Sequence, residues 1–383
     1  MAGLRGGAPR RAGMAGVVGP RGRPACAGDA MRPGPSTEAL AGPVSVGARI
    51  DVHLGGRVLA VDVPCEDVQI DWASDRVVPG KLTYTCPAGW VPESPGDALN
   101  NYGQRAHVVA LLETVEGRDE VDLGWWQHQS WDEQDNGTIK VEALDLLQLL
   151  EQDPMPWPSS PPHGATVLSE AQRLAGTLPV VLDPGTPNPR VHGNTQWGHS
   201  RSESIRDLCQ ARGLNYAVQS DGCLHLWAQT DAGSPVARYT GRDLLVDAPR
   251  KSLERRPNRW TVVGSPQQED ERKPVIKWTG TAVAASWPYE PAVYGWVTDR
   301  REFNVAASAD AVQKAANTYM RNALAAASKR SVEIAADPRL EAGDVIAVHT
   351  DGREIIVGKV IAYSLPVDKP GAQMRVDVEE LAW

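Results

Sequence analysis

The feature that most constrains this chain is a two-residue apolar rhythm, repeatedly broken by turn residues. Ile50, Val52 and Leu54 alternate, Gly55-Gly56 interrupts, and Val58, Ala60 and Asp62 come next. Period-two alternation buries one face of a strand, and a glycine pair supplies the left-handed turn of a tight hairpin. The rhythm continues at Val68, Ile70 and Trp72 and at Leu82 and Tyr84. After a Pro/Gly-rich loop over 87–96 it returns at 106–112, 121–127 and 138–141. Many short strands in succession predict a barrel or sandwich. A short amphipathic helix over 143–150 is expected to close this unit. Pro154, Pro156, Pro158, Pro161 and Pro162 then make a stiff linker.

Beyond the linker the pattern is mixed. Helical spacing covers 166–175 and 202–211, the second with Ile205, Leu208 and Cys209 on one face and Gly213 as its stop. Residues 214–218, the Asp221-Gly222 turn and 224–227 read as a tight hairpin; 183–198 is a loop rich in Pro, Gly and Asn. Strand patterns resume at 259–263, 275–279 and 293–305. Ser308 then caps a helix over 311–327, whose Val312, Ala315, Ala316 and Tyr319 share a face expected to pack on the closing strands. Those strands are expected at 332–335, 344–348, 355–363 and 374–381, with Asp351-Gly352 as a hairpin turn.

Residues 1–43 differ from everything after them. They are rich in Gly, Ala, Pro and Arg, with six arginines against Asp29 and Glu38, and are expected to be a disordered arm. No apolar run of signal-peptide length comes after the arginines. Met14 and Met31 lie within the arm, so synthesis from Met31 or later is also considered. Lys plus Arg is 39 and Asp plus Glu is 48, a net charge of −9 that argues against a surface built mainly to grip nucleic acid. No stretch approaches the roughly 18 apolar residues of a membrane span.

Two segments carry a family pattern. One is Ser202 to Trp227, a helix, a glycine stop and a hairpin. The other is Ala311 to Val360, an Ala-rich helix, a strand, an Asp-Pro-x-Leu-x-x-Gly-Asp turn at 337–344, and a strand pair. Both resemble the tail hub, or baseplate hub, proteins of tailed bacteriophages. Earlier motifs agree: Val68–Trp72, Gly80-Lys81-Leu82-Thr83, Asn101 to Arg105 and Val121 to Gly124 look like the first barrel domain of that family, as in minor tail proteins of actinobacteriophages. The resemblance runs from about Val44 to Trp383, in the order of the motifs rather than in any one of them.

It implies an α+β, mostly β fold: a disordered arm (1–43), a first β-barrel-like hub domain (44–153), a Pro-rich linker and mixed α+β domain (154–249), and a second β-barrel-like hub domain (250–383) with a helix over 308–328. It implies a virion structural protein at the tail tip, made in the host cytoplasm, that forms a homotrimeric ring. Expected partners are a second and third copy, the distal tail or tail tube protein, the tape-measure protein and receptor-binding fibres. DNA would be met only in transit, with no stable membrane insertion. No wall hydrolase is expected to be fused after Trp383, and no catalytic, cofactor-binding or metal residues are assigned.

The residues leave other chemistry to weigh. A glycan hydrolase needs paired carboxylates, and Asp122 and Glu133 stand near Trp125, Trp126 and Trp131. The same tryptophans could form a glycan-binding platform, although Trp125 and Trp126, adjacent on a strand, face opposite ways. Thirteen Trp against a single Phe, Phe303, fits codon bias in a GC-rich genome better than a dedicated sugar site. Asp344 reads as a turn cap and Leu340 as a core plug. His192 and His199 flank Trp197 in one loop without carboxylate or thiol partners in register for a metal. Cys26, Cys65, Cys86, Cys209 and Cys223 include no CxxC and read as buried thiols. Cys65 and Cys86 could sit on neighbouring strands, a bridge between them being the less favoured reading.

Overall fold

The computed structural model describes residues 31–191, 193, 195–228, 234–249, 257–264, 277–303, 308–327, 329–350 and 355–381. The chain begins with a single helical turn, α1 (Thr37–Leu40), capped by the Ser36 hydroxyl. Seven strands come next: β1 (Ser45–Leu54), β2 (Arg57–Ala60), β3 (Glu66–Ala73), β4 (Gly80–Cys86), β5 (Arg105–Thr114), β6 (Gly117–Glu133) and β7 (Ile139–Asp145). They pair antiparallel in the order β2-β1-β5-β6-β7-β4-β3. The Gly55-Gly56 turn has positive φ at both positions, 55° and 80°, as the hairpin requires. Alternation is cleanest in β4, where Leu82, Tyr84 and Cys86 point into the core and the residues between them are half-buried. The helix expected over 143–150 is displaced: β7 extends through Asp145, and α2 occupies Gln148–Gln152. Ala143 keeps its inward strand position opposite Leu82.

A second unit is built from α2, α3 (Val167–Ala175), β8 (Val180–Leu182), α4 (Arg201–Gln210), β9 (Leu214–Val218) and β10 (Leu224–Ala228). Thr166 and Ser169 form a reciprocal capping box at the start of α3, and Ser200 caps α4. The β9–β10 hairpin and the parallel strand β8 make a small sheet against both helices. Its core joins Leu146, Leu150, Leu174, Ile205, Leu208 and Leu224.

β11 (Ala237–Thr240), α5 (Gly241–Leu244) and β12 (Leu245–Asp247) return the chain to the large sheet. A third unit comes after them: β13 (Arg259–Gly264), β14 (Trp278–Val283), α6 (Pro291–Tyr294), β15 (Thr298–Phe303) and α7 (Ala309–Ala327). Here the structure differs from expectation. The α7 face of Val312, Ala315, Ala316 and Tyr319 is a packing face, but it meets β13 and β14 rather than the closing strands. Gly280 makes this possible, since a Cβ there would lie 2.6 Å from the Val312 carbonyl oxygen.

The closing strands are β16 (Lys329–Ala335), β17 (Val345–His349), β18 (Ile355–Pro366) and β19 (Gln373–Glu380). They pair in the order β12-β16-β19-β18, and β17 links β18 to β11. β18 pairs with β17 through its first residues and with β3 through its last, Ala362↔Ala73 to Pro366↔Gln69. One 13-stranded sheet among the described residues thus joins the two halves of the chain, over a shared core that includes Ile70, Tyr84, Val332 and Val376. The expectation of an α+β, mostly β fold holds. The boundary at 250 does not match the sheet, because β11 and β12 belong with β16–β19 while β13 to α7 stand apart. The expected Asp351-Gly352 turn lies outside the described residues.

The expected arm also needs correction at its end. Residues 1–30 lie outside the described residues, but Pro35 is buried and Arg32 and Ser36 are half-buried. Arg32 pairs with Glu341 at 3.3 Å and donates to the carbonyls of Pro338 and Leu340. Arg339 donates to the Pro35 carbonyl and pairs with Asp337 at 2.7 Å, and Asp337 accepts from the Tyr239 hydroxyl. A disordered assignment by composition missed these residues because their partners lie some 300 positions away.

Candidate functional site

The carboxylates weighed for glycan hydrolysis are not brought together. Asp122 and Glu133 lie on the same strand, eleven positions apart, a separation of roughly 35 Å. Hydrolytic pairs stand within about 10 Å of each other. Asp122 instead accepts from Gly124 N and meets His107 Nε2 at 3.0 Å. Trp126 is buried, its indole N–H on the Leu123 carbonyl. Trp125 is stacked on His107 at 4.6 Å and edged by His53 at 4.9 Å, and a Cβ on Gly222 would touch its ring. Trp131 packs against the main core. These rings fill contacts within the chain and present no shared platform.

Asp344 is a turn staple. Its carboxylate accepts from Glu341 N at 2.8 Å, its carbonyl accepts from Val360 N, and Leu340 beside it is fully buried. His199 bonds the Met155 carbonyl and Trp197 donates to the fully buried Glu170 at 2.6 Å, while His192 lies outside the described residues. Among the described residues no cluster of three His, Cys, Asp or Glu is placed to hold a metal, and no helix is long and apolar enough to cross a membrane.

Three titratable sites were not read from the sequence, because their partners are remote. Asp145 takes an inward strand position, where burial pushes its carboxyl up to about 6 although Leu147 N and Gly80 N both donate to it. His128 is held down at about 4 by burial; it accepts from the Tyr84 hydroxyl and donates to the Asn100 carbonyl. His225 is flanked by Asp183 at 2.6 Å and Asp221 at 3.0 Å. Burial alone would lower it, but the two carboxylates outweigh that and raise it above its ordinary value. Asp221 also caps the β9–β10 turn, whose tip rests on a bulge of β6: a Cβ on Gly124 would lie 3.2 Å from Ser220 Cα.

The surface offers two features of different chemistry. A groove of about 1170 Å³ runs across β3, β18, β19 and β16. Its basic residues, among them Arg76 and Arg330, are matched in number by acidic ones, among them Asp71 and Asp377, so it has no net field to select a polyanion. The other is apolar. The loop joining β14 to β15 exposes Trp287 (78%), Val293 (69%) and Trp296 (54%). It is not loose: the fully buried Asn258 side chain donates to the carbonyls of Tyr289 and Gly295 and accepts from Val297 N. Arg259 lies 4.5 Å over the Trp296 ring. A rigid, exposed aromatic group of this kind is the composition of a protein–protein contact.

Comparison with known proteins gives a fold. No family model matches the chain, and no curated protein matches its sequence. Among solved structures it is similar to a tail protein from Neisseria meningitidis MC58, with 16% identity, a TM-score of 0.58, and 87% of this chain and 97% of that one covered. It is similar to the 43 kDa tail protein of prophage MuSo2 from Shewanella oneidensis, with 13% identity, a TM-score of 0.57, and 86% and 98% covered. It is also similar to prophage tail protein gp18 from Listeria monocytogenes EGD-e, with 9% identity, a TM-score of 0.52, and 87% and 95% covered. The chain therefore has a fold found in phage tail proteins, matched nearly from end to end.

Proposed function

We propose that this chain is a structural tail protein, and specifically the hub at the tip of a phage tail or tail-like particle. The fold match to the Neisseria tail protein carries the reading, since it covers 87% of this chain and 97% of that one. The role is geometric, with no covalent chemistry assigned to any residue. In this reading β1–β7 would serve as one ring element and β11, β12 and β16–β19, joined to them through the β3–β18 pairing, as a second, so that three copies would offer six similar surfaces to a sixfold tube. The ring would close the tube, contact the tape-measure protein and the distal tail or tube protein, and anchor receptor-binding fibres.

Two properties support an assembly role. The aromatic loop around Trp287 and Trp296 is exposed in the single chain and held in shape by Asn258, as suits a surface covered by a neighbour. The net charge of −9 suits DNA passing without adhering. Cryo-electron microscopy of intact particles tests the proposal. Density for three copies at the tail tip is expected. Six copies, or none at the tip, would remove the hub assignment, while density elsewhere in the tail would leave only the coarser tail-protein reading.

A further inference from the structure

We propose that Cys65 and Cys86 are an oxidisable cross-strand pair that a small-molecule disulfide closes into an intramolecular bond. The inference stands apart from the tail reading and rests on register. β3 and β4 are antiparallel with Glu66 opposite Thr85. The paired register ends there, beside a shift between Glu66 and Gln69, and continuing that last pair by one residue would set Cys65, just outside β3, across from Cys86 at the end of β4. Directly opposed residues of an antiparallel pair have Cα atoms about 4.5–5.5 Å apart, inside the span of about 4.4–6.8 Å that a disulfide bridges.

Facing agrees with spacing. Cys86 continues the inward set of Leu82 and Tyr84, and Cys65 packs against the same core. Both are free thiols, and burial pushes each up to about 12, Cys86 being raised further by its neighbour Cys65. The two differ in access: Cys86 is fully buried and Cys65 only partly. Cys65 is therefore the entry sulfur and Cys86 the resolving one. Closure would fasten the outer end of β3 to β4 beside two existing links to the β18–β19 turn, Val68 N to Asp368 and Lys369 to Asp67.

The chemistry balances with the named oxidant. The Cys65 thiolate attacks one sulfur of the small disulfide, breaks its S–S bond and releases one small thiolate. The Cys86 thiolate then attacks Sγ of Cys65, breaks the mixed disulfide and releases the second. Two protein thiols are oxidised, one small disulfide is reduced to two thiols, and the two protons leave with them. Because exchange proceeds through the thiolate, the rate should rise about tenfold per pH unit across the neutral and mildly alkaline range.

The test uses the reduced full-length chain, oxidised glutathione and native conditions at mildly alkaline pH. The expected product is lighter by two hydrogens, carries no glutathione, and yields a peptide pair joined through Cys65 and Cys86. Its melting temperature should rise on the order of 5 °C and fall back when a dithiol reductant is added. Cys86→Ser should stop at the glutathione adduct of Cys65, and Cys65→Ser should leave Cys86 unmodified. If Cys86→Ser misfolds, peptide mapping of the unmutated chain decides alone. A stable adduct at Cys65 with Cys86 still alkylatable, a bond from Cys65 to Cys26, Cys209 or Cys223, or no mass change would overturn the proposal.

Discussion

Replacing Gly280 by alanine should separate α7 from the sheet beneath it. The added Cβ would lie 2.6 Å from the Val312 carbonyl oxygen and 2.7 Å from both Cα and N of Gln313. All three are backbone atoms of a helix, so no side chain can swing aside. Carbon atoms rest about 3.5–4.0 Å apart, and α7 would have to retreat by roughly 1 Å. The buried core under it is small, Val262, Ala282, Val312 and Ala316, and a gap of that size forfeits about a quarter to a half of each contact. The retreat also pulls the Gln313 amide from Thr281, whose N–H it accepts at 3.1 Å and whose carbonyl it serves at 2.8 Å. Overpacking of this kind costs about 1–3 kcal/mol, and alanine recovers up to about 1 kcal/mol by stiffening the unfolded chain. A net loss of about 1–2 kcal/mol corresponds to a roughly 5–30-fold larger open population. Hydrogen exchange by mass spectrometry should show that loss of protection in peptides covering β13, β14 and α7, with β5 and β6 unchanged. Unchanged or slower exchange in α7 would show that the helix does not sit on Gly280.

The same kinds of contact set further outcomes. His225 is raised in the folded state, so its stabilisation is complete below its ordinary value of about 6.5 and is lost as pH rises through the raised value. Thermal melts should therefore show the second unit weakening on the alkaline side of 6.5, and His225→Gln should flatten that dependence. Asp145 acts in an adjoining window: raised to about 6, it costs stability as pH climbs from about 4 to 6, and Asp145→Asn should flatten the curve there. Asn258→Ala leaves a buried N–H and two carbonyls short of partners. It should cost about 2–4 kcal/mol and expose the chain around Trp287 to protease. Trp287→Ala with Trp296→Ala should leave the melting temperature of the free chain within about a degree, since both rings are exposed, yet prevent incorporation into particles.

Faces were legible in the sequence where partners were not. The Gly55-Gly56 hairpin, the inward set of β4 and the packing face of α7 each arise from local spacing, and each is present. What α7 packs against could not be read, because a helix stripe of Val312, Ala315 and Ala316 fits any apolar sheet. Only the close approach at Gly280 selects β14. β18 reads as one ordinary strand, yet its two ends serve different neighbours through a shift between Val360 and Ala362. Arg32 looked like one more arginine of a solvated arm, and its role depends on Glu341. Spacing alone leaves the tryptophans of β6 open between core, interface and a less favoured glycan platform, and the hairpin tip at Gly222 against Trp125 assigns that ring to a contact within the chain.

The pairing of β3 with β18 sets a clock on synthesis. The amide of Gln69 bonds the hydroxyl of Ser364, 295 positions later. At roughly 5–20 residues per second a ribosome needs about 15–60 s to cover that distance, far longer than a hairpin takes to form. Through that interval β3 stands as a bare edge with Ile70 and Trp72 waiting for cover, an invitation to pair with another nascent chain. Truncated products that end before β18 should therefore aggregate rather than accumulate as soluble fragments, and yield should depend on whatever shields that edge until the last strands emerge.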